Sequence, residues 1–198
     1  WTIDVIGMKN KPIEITASDV VCTLTPQSLP HLLKASNSQV KRYTNYLKNL
    51  PNGSGAIVLY GAIERSALKD DYPSHVQINS KDPGSLFVSI SIEGDRRAPL
   101  GQATIVASLF TNVDSWFSLN QSDYLKRKKT FQSKIIGILN DWLKLTDDDW
   151  HHKELATPKS FAKWTGRYKG MVGGLGQNPS TFGPFGLPSR TPISGLWL

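Results

Sequence analysis

Three apolar runs in the middle of the chain have the length and composition of β-strands. They read GAIVLYGAIE (55–64), SLFVSISIE (85–93) and QATIVASLFT (102–111), and polar segments with proline and glycine separate them. HVQIN (75–79) has the pattern of a fourth strand. No helix-length pattern lies between the last two long runs, so we expect neighbouring antiparallel strands rather than parallel strands joined by helices.

Residues 122–145, SDYLKRKKTFQSKIIGILNDWLKL, have the spacing of an amphipathic helix. Their apolar residues recur at steps of three, four or seven positions and form one stripe. The members of this stripe are Tyr124, Phe131, Ile135, Ile138, Leu139 and Trp142. We expect the aspartates at 147–149 to end the helix, and WHHKELATP (150–158) to form a further strand.

Shorter elements are predicted towards the two ends. Residues 2–24 have the pattern of two or three short strands, with a turn at Lys9–Pro12. Thr25–Pro26 is a typical helix start, because a hydroxyl cap precedes a proline at the first helical position. The helical region runs to about Leu50 with a break near 35–38.

The whole pattern predicts an α+β fold with a mixed, largely antiparallel sheet of at least four strands covered by helices. The net charge of +7 favours an acidic partner such as nucleic acid, an anionic membrane surface or another domain, although a solvated basic surface gives the same value. The chain starts at Trp1 and closes on the strand-like ISGLWL (193–198). Because an exposed core strand is costly, we expect a fragment of a longer protein.

The stretch TGRYKGMVGGLGQNPSTFGPFG (165–186) contains seven glycines. It does not match the dinucleotide-binding pattern G-x-G-x-x-G, because position 179 is proline and no helical pattern follows. A flexible surface loop is one interpretation. Phe182 and Phe185 argue against it, since a purely solvated loop seldom carries two such rings.

Other chemistry finds little support in the sequence. His151 and His152 are adjacent on a predicted strand and point to opposite faces, so we expect no metal there. There is no G-x-S-x-G motif, and Cys22 lies in an apolar run where a buried, inert thiol is expected. The basic run 125–129 is typical of a solvated helix face, with an anionic lipid surface as a sharper alternative and nucleic acid as a weaker one.

Residues 156–198 resemble the C-terminal part of the phytoene desaturase superfamily of flavoproteins. The resemblance is carried by Thr157–Pro158, Phe161 and Thr165–Gly166, then by the glycine-rich stretch and the Pro-x-x-Gly-Leu-Trp-Leu pattern at 192–198. Residues 15–29 are similar to a strand and turn of the same superfamily. Within it, the chain looks most like carotenoid isomerases and the carotenoid C-3′,4′ desaturases of photosynthetic bacteria.

This resemblance implies the substrate-binding part of an FAD-dependent carotenoid desaturase, with hydride passing from the polyene to the flavin. A carotenoid cis–trans isomerase of the same fold is the alternative, and a basic membrane- or nucleic-acid-binding module without catalysis is the alternative of another class. Residues 1–164 would form the substrate-binding domain, and 165–198 would return towards a separate FAD-binding domain. We expect the fragment alone to be inactive.

The resemblance also implies roles for particular residues. We expect a cytoplasmic, peripherally membrane-associated enzyme with a carotenoid substrate and no nucleic acid partner, and helix 122–144 as its membrane-facing element. Phe182 and Phe185 would line an apolar passage for the polyene. Residues expected near the flavin in the intact enzyme are Gly166, Gly173, Gly174, Gly176 and Trp197.

Overall fold

The computed structural model describes residues 1–7, 10–34, 37–69 and 72–198. Its strands are β1 (Thr2–Ile6), β2 (Pro12–Thr16), β3 (Val20–Val21), β4 (Ser54–Glu64), β5 (His75–Ile78), β6 (Leu86–Ile90), β7 (Gln102–Asn112), β8 (Trp150–Ala156) and β9 (Leu196–Trp197). Its α-helices are α1 (Ser38–Lys48), α2 (Asp114–Phe117), α3 (Gln121–Leu143) and α4 (Pro158–Thr165). The predicted α+β fold class is confirmed.

The chain divides into two compact units. The terminal unit comprises Trp1–Asn52 together with Gly174–Leu198, and the sheet unit comprises Gly53–Gly173. The predicted boundary near residue 164 separates a substrate-binding role from a flavin-facing role. It stays a prediction, because compactness does not test either role.

The sheet unit is built on five antiparallel strands in the order β5-β6-β7-β4-β8. All three long runs and HVQIN are strands, and the expected antiparallel pairing is confirmed. Alternate residues of the central strands point into one core, for example Leu59 opposite Ala107 on β7 and opposite Leu155 on β8. The sheet therefore has one fully buried face, as alternating side chains require.

Helix α3 covers the buried face with the predicted apolar stripe. Ile135 and Leu139 are fully buried, while the other members of the stripe pack around them half-buried. The side chain of Asn120 caps the first turn by accepting a hydrogen bond from the Asp123 N–H at 2.9 Å. The prediction that the aspartates end this helix is wrong: α3 ends at Leu143, and residues 147–149 form a separate 3₁₀ turn.

The terminal unit has a smaller core around α1. Leu29, Tyr43, Leu47, Leu50 and Leu196 are buried together, and β3 pairs with β9 in parallel. Strands β1 and β2 form a separate antiparallel hairpin. Cys22 is half-buried against this core, so the expected burial of its thiol holds only in part.

The helix predicted from Thr25 is shorter than expected. Residues 26–31 form a 3₁₀ helix with Pro30 inside it, and the α-helix begins only at Ser38. Proline lacks an N–H and blocks the i−4 carbonyl, so an α-helix cannot continue through this position. Of the expected break at 35–38, residues 35 and 36 lie outside the described residues, as does Lys9 of the predicted turn.

Candidate functional site

The second face of the five-stranded sheet is incompletely covered and carries aromatic rings among apolar and polar side chains. It presents Tyr60, Phe87 and Phe110 with 42%, 48% and 79% of their surface exposed. Cross-strand pairs place these rings on one surface, since Ala56 faces Phe110 and Ser108 lies opposite both Val58 and Phe87. We call this surface the open face. It consists of Ala56, Val58, Tyr60, Ala62, His75, Gln77, Phe87, Ser89, Thr104, Val106, Ser108, Phe110, His152, Glu154 and Ala156.

The open face follows from the composition of β4. Its core-facing positions are Ile57, Leu59, Gly61 and Ile63, while Ala56, Val58, Tyr60 and Ala62 point to the other side. A half-solvated strand normally alternates apolar with polar residues, and strands that are apolar on both sides are typical of sheets covered on both faces. The exposed rings therefore form a surface suited to an apolar partner or ligand.

Two concavities adjoin the open face. One is a cleft of about 620 Å³ at the β8 edge, between α4 and the first half of α3, with Tyr60 and Ala156 in its lining. The other has a volume of about 340 Å³ and lies among Ala56, Phe87 and Phe110. Both volumes lie within or near the range of small-molecule sites in proteins.

Basic and aromatic side chains line the larger cleft. Lys159 lies 4.7 Å from the centroid of the Tyr124 ring and donates a hydrogen bond to the Leu119 carbonyl at 3.2 Å. The Tyr124 hydroxyl is 3.1 Å from the hydroxyl of the buried Thr157. Lys128 and Lys163 add two further cations and Glu154 a carboxylate, so cations outnumber anions among the described lining residues.

Helix α4, which the sequence analysis missed, forms one wall of this cleft. Pro158 stands at its first position, and the Thr157 N–H donates to the Ser160 hydroxyl at 3.1 Å. The helix ends at Gly166 with a left-handed φ of 69°. The signal that could have revealed α4 is the Thr–Pro pair itself, the same start that precedes residues 26–31.

Gly170 is a second residue that sequence reasoning missed. Its φ is +62°, and a Cβ atom there would lie 1.9 Å from the Pro158 carbonyl oxygen. The chain after α4 thus packs directly on the first turn of that helix, where only glycine fits. Lys169 fixes the same segment to Asp114 of α2 by an ion pair, and this hydrogen bond raises the pKa of the Lys169 ammonium.

The four glycines expected near a flavin differ in their surroundings. Gly166 is explained by the end of α4, and a Cβ on Gly176 would lie 2.4 Å from the Asn52 carbonyl oxygen. At Gly173 and Gly174 an added Cβ would meet no described atom within 4 Å. Gly166 and Gly176 therefore have a local structural reason to be glycine. Gly173 and Gly174 have open space beside their backbone.

The aromatic residues predicted for the site lie in the terminal unit. Phe182 precedes the short 3₁₀ helix Gly183–Phe185 and Phe185 ends it, and their side chains are 64% and 69% exposed. Trp197 pairs with Val21 and donates its Nε1–H to the Asp19 carboxylate at 3.1 Å. The structure thus places both phenylalanines where a partner could reach them, whereas the Trp197 indole N–H is occupied.

The described residues do not form a flavin site by themselves. Dinucleotide-binding folds hold a pyrophosphate at a glycine-rich turn that leads into a helix N-terminus. The helices here instead follow Asn37, Val113, Asn120 and Thr157.

A metal centre finds equally little support in the described part of the chain. No group of three or more histidine, cysteine, aspartate or glutamate side chains there is arranged to hold an ion. His151 instead lies 2.7 Å from the Glu64 carboxylate, and His152 lies 3.7 Å from that of Glu154. No helix within the described ranges is long and apolar enough to cross a membrane.

Comparison with known proteins gives one informative similarity. No protein-family model matches the chain. A chloroplastic prolycopene isomerase from Daucus carota is 24% identical over 194 residues, which cover 93% of this chain. The chain spans only 31% of that protein's length. The chain is thus distantly similar to a carotenoid isomerase, and the closer resemblance to C-3′,4′ desaturases stays a prediction.

Proposed function

We propose that this chain supplies the polyene-binding surface of an FAD-dependent carotenoid-modifying enzyme in which other segments hold the flavin. The observation that carries the proposal is the open face, where three aromatic rings are exposed beside the apolar outward side of β4. The similarity to a prolycopene isomerase over nearly the whole chain supports the substrate class.

A hydrocarbon polyene suits the open face for a physical reason. Such a molecule offers almost nothing to hydrogen-bond, so it is held by burial of apolar area against aromatic and aliphatic walls. Five strands spaced about 4.8 Å apart form a platform roughly 20 Å across. The rings of Tyr60, Phe87 and Phe110 on this platform would contact an extended chain at several points.

Two reactions fit such a surface. The relative favours isomerisation, which changes the geometry of a double bond and leaves the composition of the polyene unchanged. Desaturation, which the C-terminal motif also implies, removes two hydrogen atoms and therefore needs an oxidant such as the flavin. We favour isomerisation as the reaction of the intact enzyme and retain desaturation as the second candidate.

The glycine-rich segment has a role in the same proposal. Gly173 and Gly174 have open space beside their backbone, which supports a close approach to a flat ring system. The exposed rings of Phe182 and Phe185 support contact with an apolar ligand. In the same proposal Gly166, Gly176 and Trp197 lie near the flavin but do not themselves make the close approach to its ring system.

Product analysis of the full-length protein tests the proposal. The protein would be supplied with FAD, a reductant or an oxidant, and prolycopene or a more saturated carotene in lipid vesicles. Chromatography and mass spectrometry would follow the products. A geometric isomer of unchanged mass supports isomerisation, and a product lighter by two hydrogen atoms supports desaturation. Unchanged carotenes under all conditions would overturn the proposal.

A pair of variants assigns the activity to the open face. Tyr60→Ala combined with Phe87→Ala removes two exposed rings and should lower the rate with limiting polyene by about tenfold, because apolar contact area is lost. Leu100→Ala is the matched control, since Leu100 is fully exposed in the turn before β7. Equal rates in the two variants would remove the open face from the account.

A further inference from the structure

The cleft between α3 and α4 combines cationic with aromatic side chains. Lys128 comes from α3, while Lys159 and Lys163 stand one helical turn apart on α4. Four rings line the same space, and they are those of Tyr60, Tyr124, Phe161 and Trp164. A polyene on the open face does not account for the lysines, because a hydrocarbon offers an ammonium group no hydrogen-bond acceptor.

The three ammonium groups keep the capacity to bind an anion. None of them forms an ion pair with a carboxylate in the part of the chain that the structure describes. Lys159 donates to the Leu119 carbonyl at 3.2 Å, which uses one of its three N–H groups. Glu154 is the one carboxylate in the described lining, and it lies 3.7 Å from His152. Three cations thus face one carboxylate, and the cleft attracts anions.

Two of the ammonium groups lie beside aromatic rings. The Nζ atom of Lys159 is 4.7 Å from the centroid of the Tyr124 ring, and that of Lys163 is 5.2 Å from the Trp164 ring. This contact holds a cation next to a flat apolar surface. The Trp164 side chain is 79% exposed, so most of the indole is available to a ligand. A ligand that uses both features carries its negative charge close to a flat ring.

We infer that this cleft binds a nucleotide, in which a flat base is joined to a chain of phosphates. A carboxylate ligand carries one negative charge, whereas a di- or triphosphate carries several and matches three cations. Lysine is a common phosphate ligand, and aromatic side chains stack on any base. A cleft of about 620 Å³ accommodates a small molecule, whereas a nucleic acid strand needs an extended groove. This inference does not depend on the proposed function.

Isothermal titration calorimetry of ATP into the full-length protein tests the inference. We expect saturable binding that high salt weakens. Inorganic tripolyphosphate and adenosine should each bind at least about tenfold more weakly than ATP, because each carries only one of the two linked parts. ATP should bind in addition to any flavin that the protein carries, since none of the residues expected near the flavin is among the described residues that line the cleft.

Substitutions in the cleft separate the phosphate contacts from the base contacts. Lys128→Gln combined with Lys163→Gln should weaken both ATP and tripolyphosphate by about tenfold, because two charge-assisted hydrogen bonds are lost. Trp164→Ala should weaken ATP by about tenfold and leave tripolyphosphate unchanged, whereas Trp164→Phe should keep most of the affinity for ATP. Glu154→Gln should strengthen ATP binding by about threefold, because it removes a carboxylate that repels phosphates.

A matched control lies on the same helix. Lys126 and Lys129 are exposed on α3 but are not among the described residues that line the cleft. Lys126→Gln combined with Lys129→Gln therefore makes the same change in net charge as the cleft variant, and glutamine keeps the helix propensity of lysine. This control should bind ATP like the unaltered protein.

Four results would overturn the inference. One is the absence of ATP binding at low salt. Another is an equal loss of binding in the cleft variants and the control, which would indicate a diffuse charge effect. The third is release of bound flavin by ATP, which would place the nucleotide in the flavin site. The fourth is a single-stranded oligonucleotide that binds more tightly than ATP and is lost in the same cleft variants. Circular dichroism spectra would establish that every variant is folded.

Discussion

The two faces of the five-stranded sheet differ in what covers them, and only the covered face is apolar throughout. On one face α3 seals Leu59, Ile105 and their neighbours completely. On the other face the rings of Phe87 and Phe110 stay 48% and 79% exposed. The same strands supply both surfaces, so the difference does not come from β-propensity. It comes from what packs on each face, since α3 covers one face completely and leaves the rings of the other exposed.

This difference separates stability from function. Buried positions contribute free energy of unfolding through lost water contact and close packing. Exposed rings on the open face contribute little to stability and leave apolar area available to a ligand. Substitutions on the two faces should therefore change different measurements.

The largest effect is expected on the covered face. Leu139→Ala should lower the free energy of unfolding by about 2–5 kcal/mol, because a fully buried side chain leaves a cavity that the surrounding core cannot fill. Urea denaturation followed by circular dichroism measures it. A loss below about 1 kcal/mol would mean that α3 does not seal this face tightly.

Overpacking the same face should cost less. A Cβ atom on Gly61 would lie 2.4 Å from the Trp150 ring, so Gly61→Ala should lower the free energy of unfolding by about 1–3 kcal/mol. Ala62→Ser is the control, since Ala62 points to the open face. Similar urea midpoints for both variants would contradict the assignment of Gly61 to the covered face and of Ala62 to the open face.

A smaller, pH-dependent effect is expected at the turn between α3 and β8. The Asp149 carboxylate accepts hydrogen bonds from the Thr146 N–H and hydroxyl, and these bonds lower its pKa. A lowered folded-state pKa gives stability that is present above the unfolded pKa of about 3.9 and is lost as the pH falls through the folded value. Asp149→Asn should therefore reduce Tm at neutral pH, and the difference should shrink below about pH 4. A Tm difference that stays constant down to acid pH would contradict a stabilising role for the Asp149 carboxylate.

The smallest effect on stability is expected on the open face. Phe110→Ala should change the free energy of unfolding by no more than about 0.5 kcal/mol, because most of its ring is exposed. The measurement is the same urea titration used for Leu139→Ala. A loss as large as that of Leu139→Ala would show that the open face is covered in solution.

Periodicity in the sequence was sufficient to predict the central strands and α3. It failed for α4, because eight residues are too few to show a helical period. The two Thr–Pro pairs explain part of this failure: Pro30 prevents an α-helix after Pro26, while no proline follows Pro158 within its helix. To predict an α-helix from a Thr–Pro pair, the residues of the following turn must therefore be considered as well.

The open face was harder to predict, although β4 contains a signal for it. Both sets of alternate residues in AIVLYGAI are apolar, which indicates cover on two sides. Which rings meet on that surface depends on the order β5-β6-β7-β4-β8 and on strand register. Both are properties of pairing between distant segments, so neither Phe87 nor Phe110 could be placed beside β4 from its own neighbours.

Polyene binding to charged variants tests the central claim most directly. Phe110→Glu places a carboxylate on the open face, and Leu100→Glu places one on an equally accessible side chain elsewhere. We expect Phe110→Glu to raise the dissociation constant of the polyene for the full-length protein by at least about tenfold, because burying the charge is costly. We expect Leu100→Glu to leave this constant unchanged. Unaltered polyene affinity in a folded Phe110→Glu protein, or an equal loss in both variants, would contradict it.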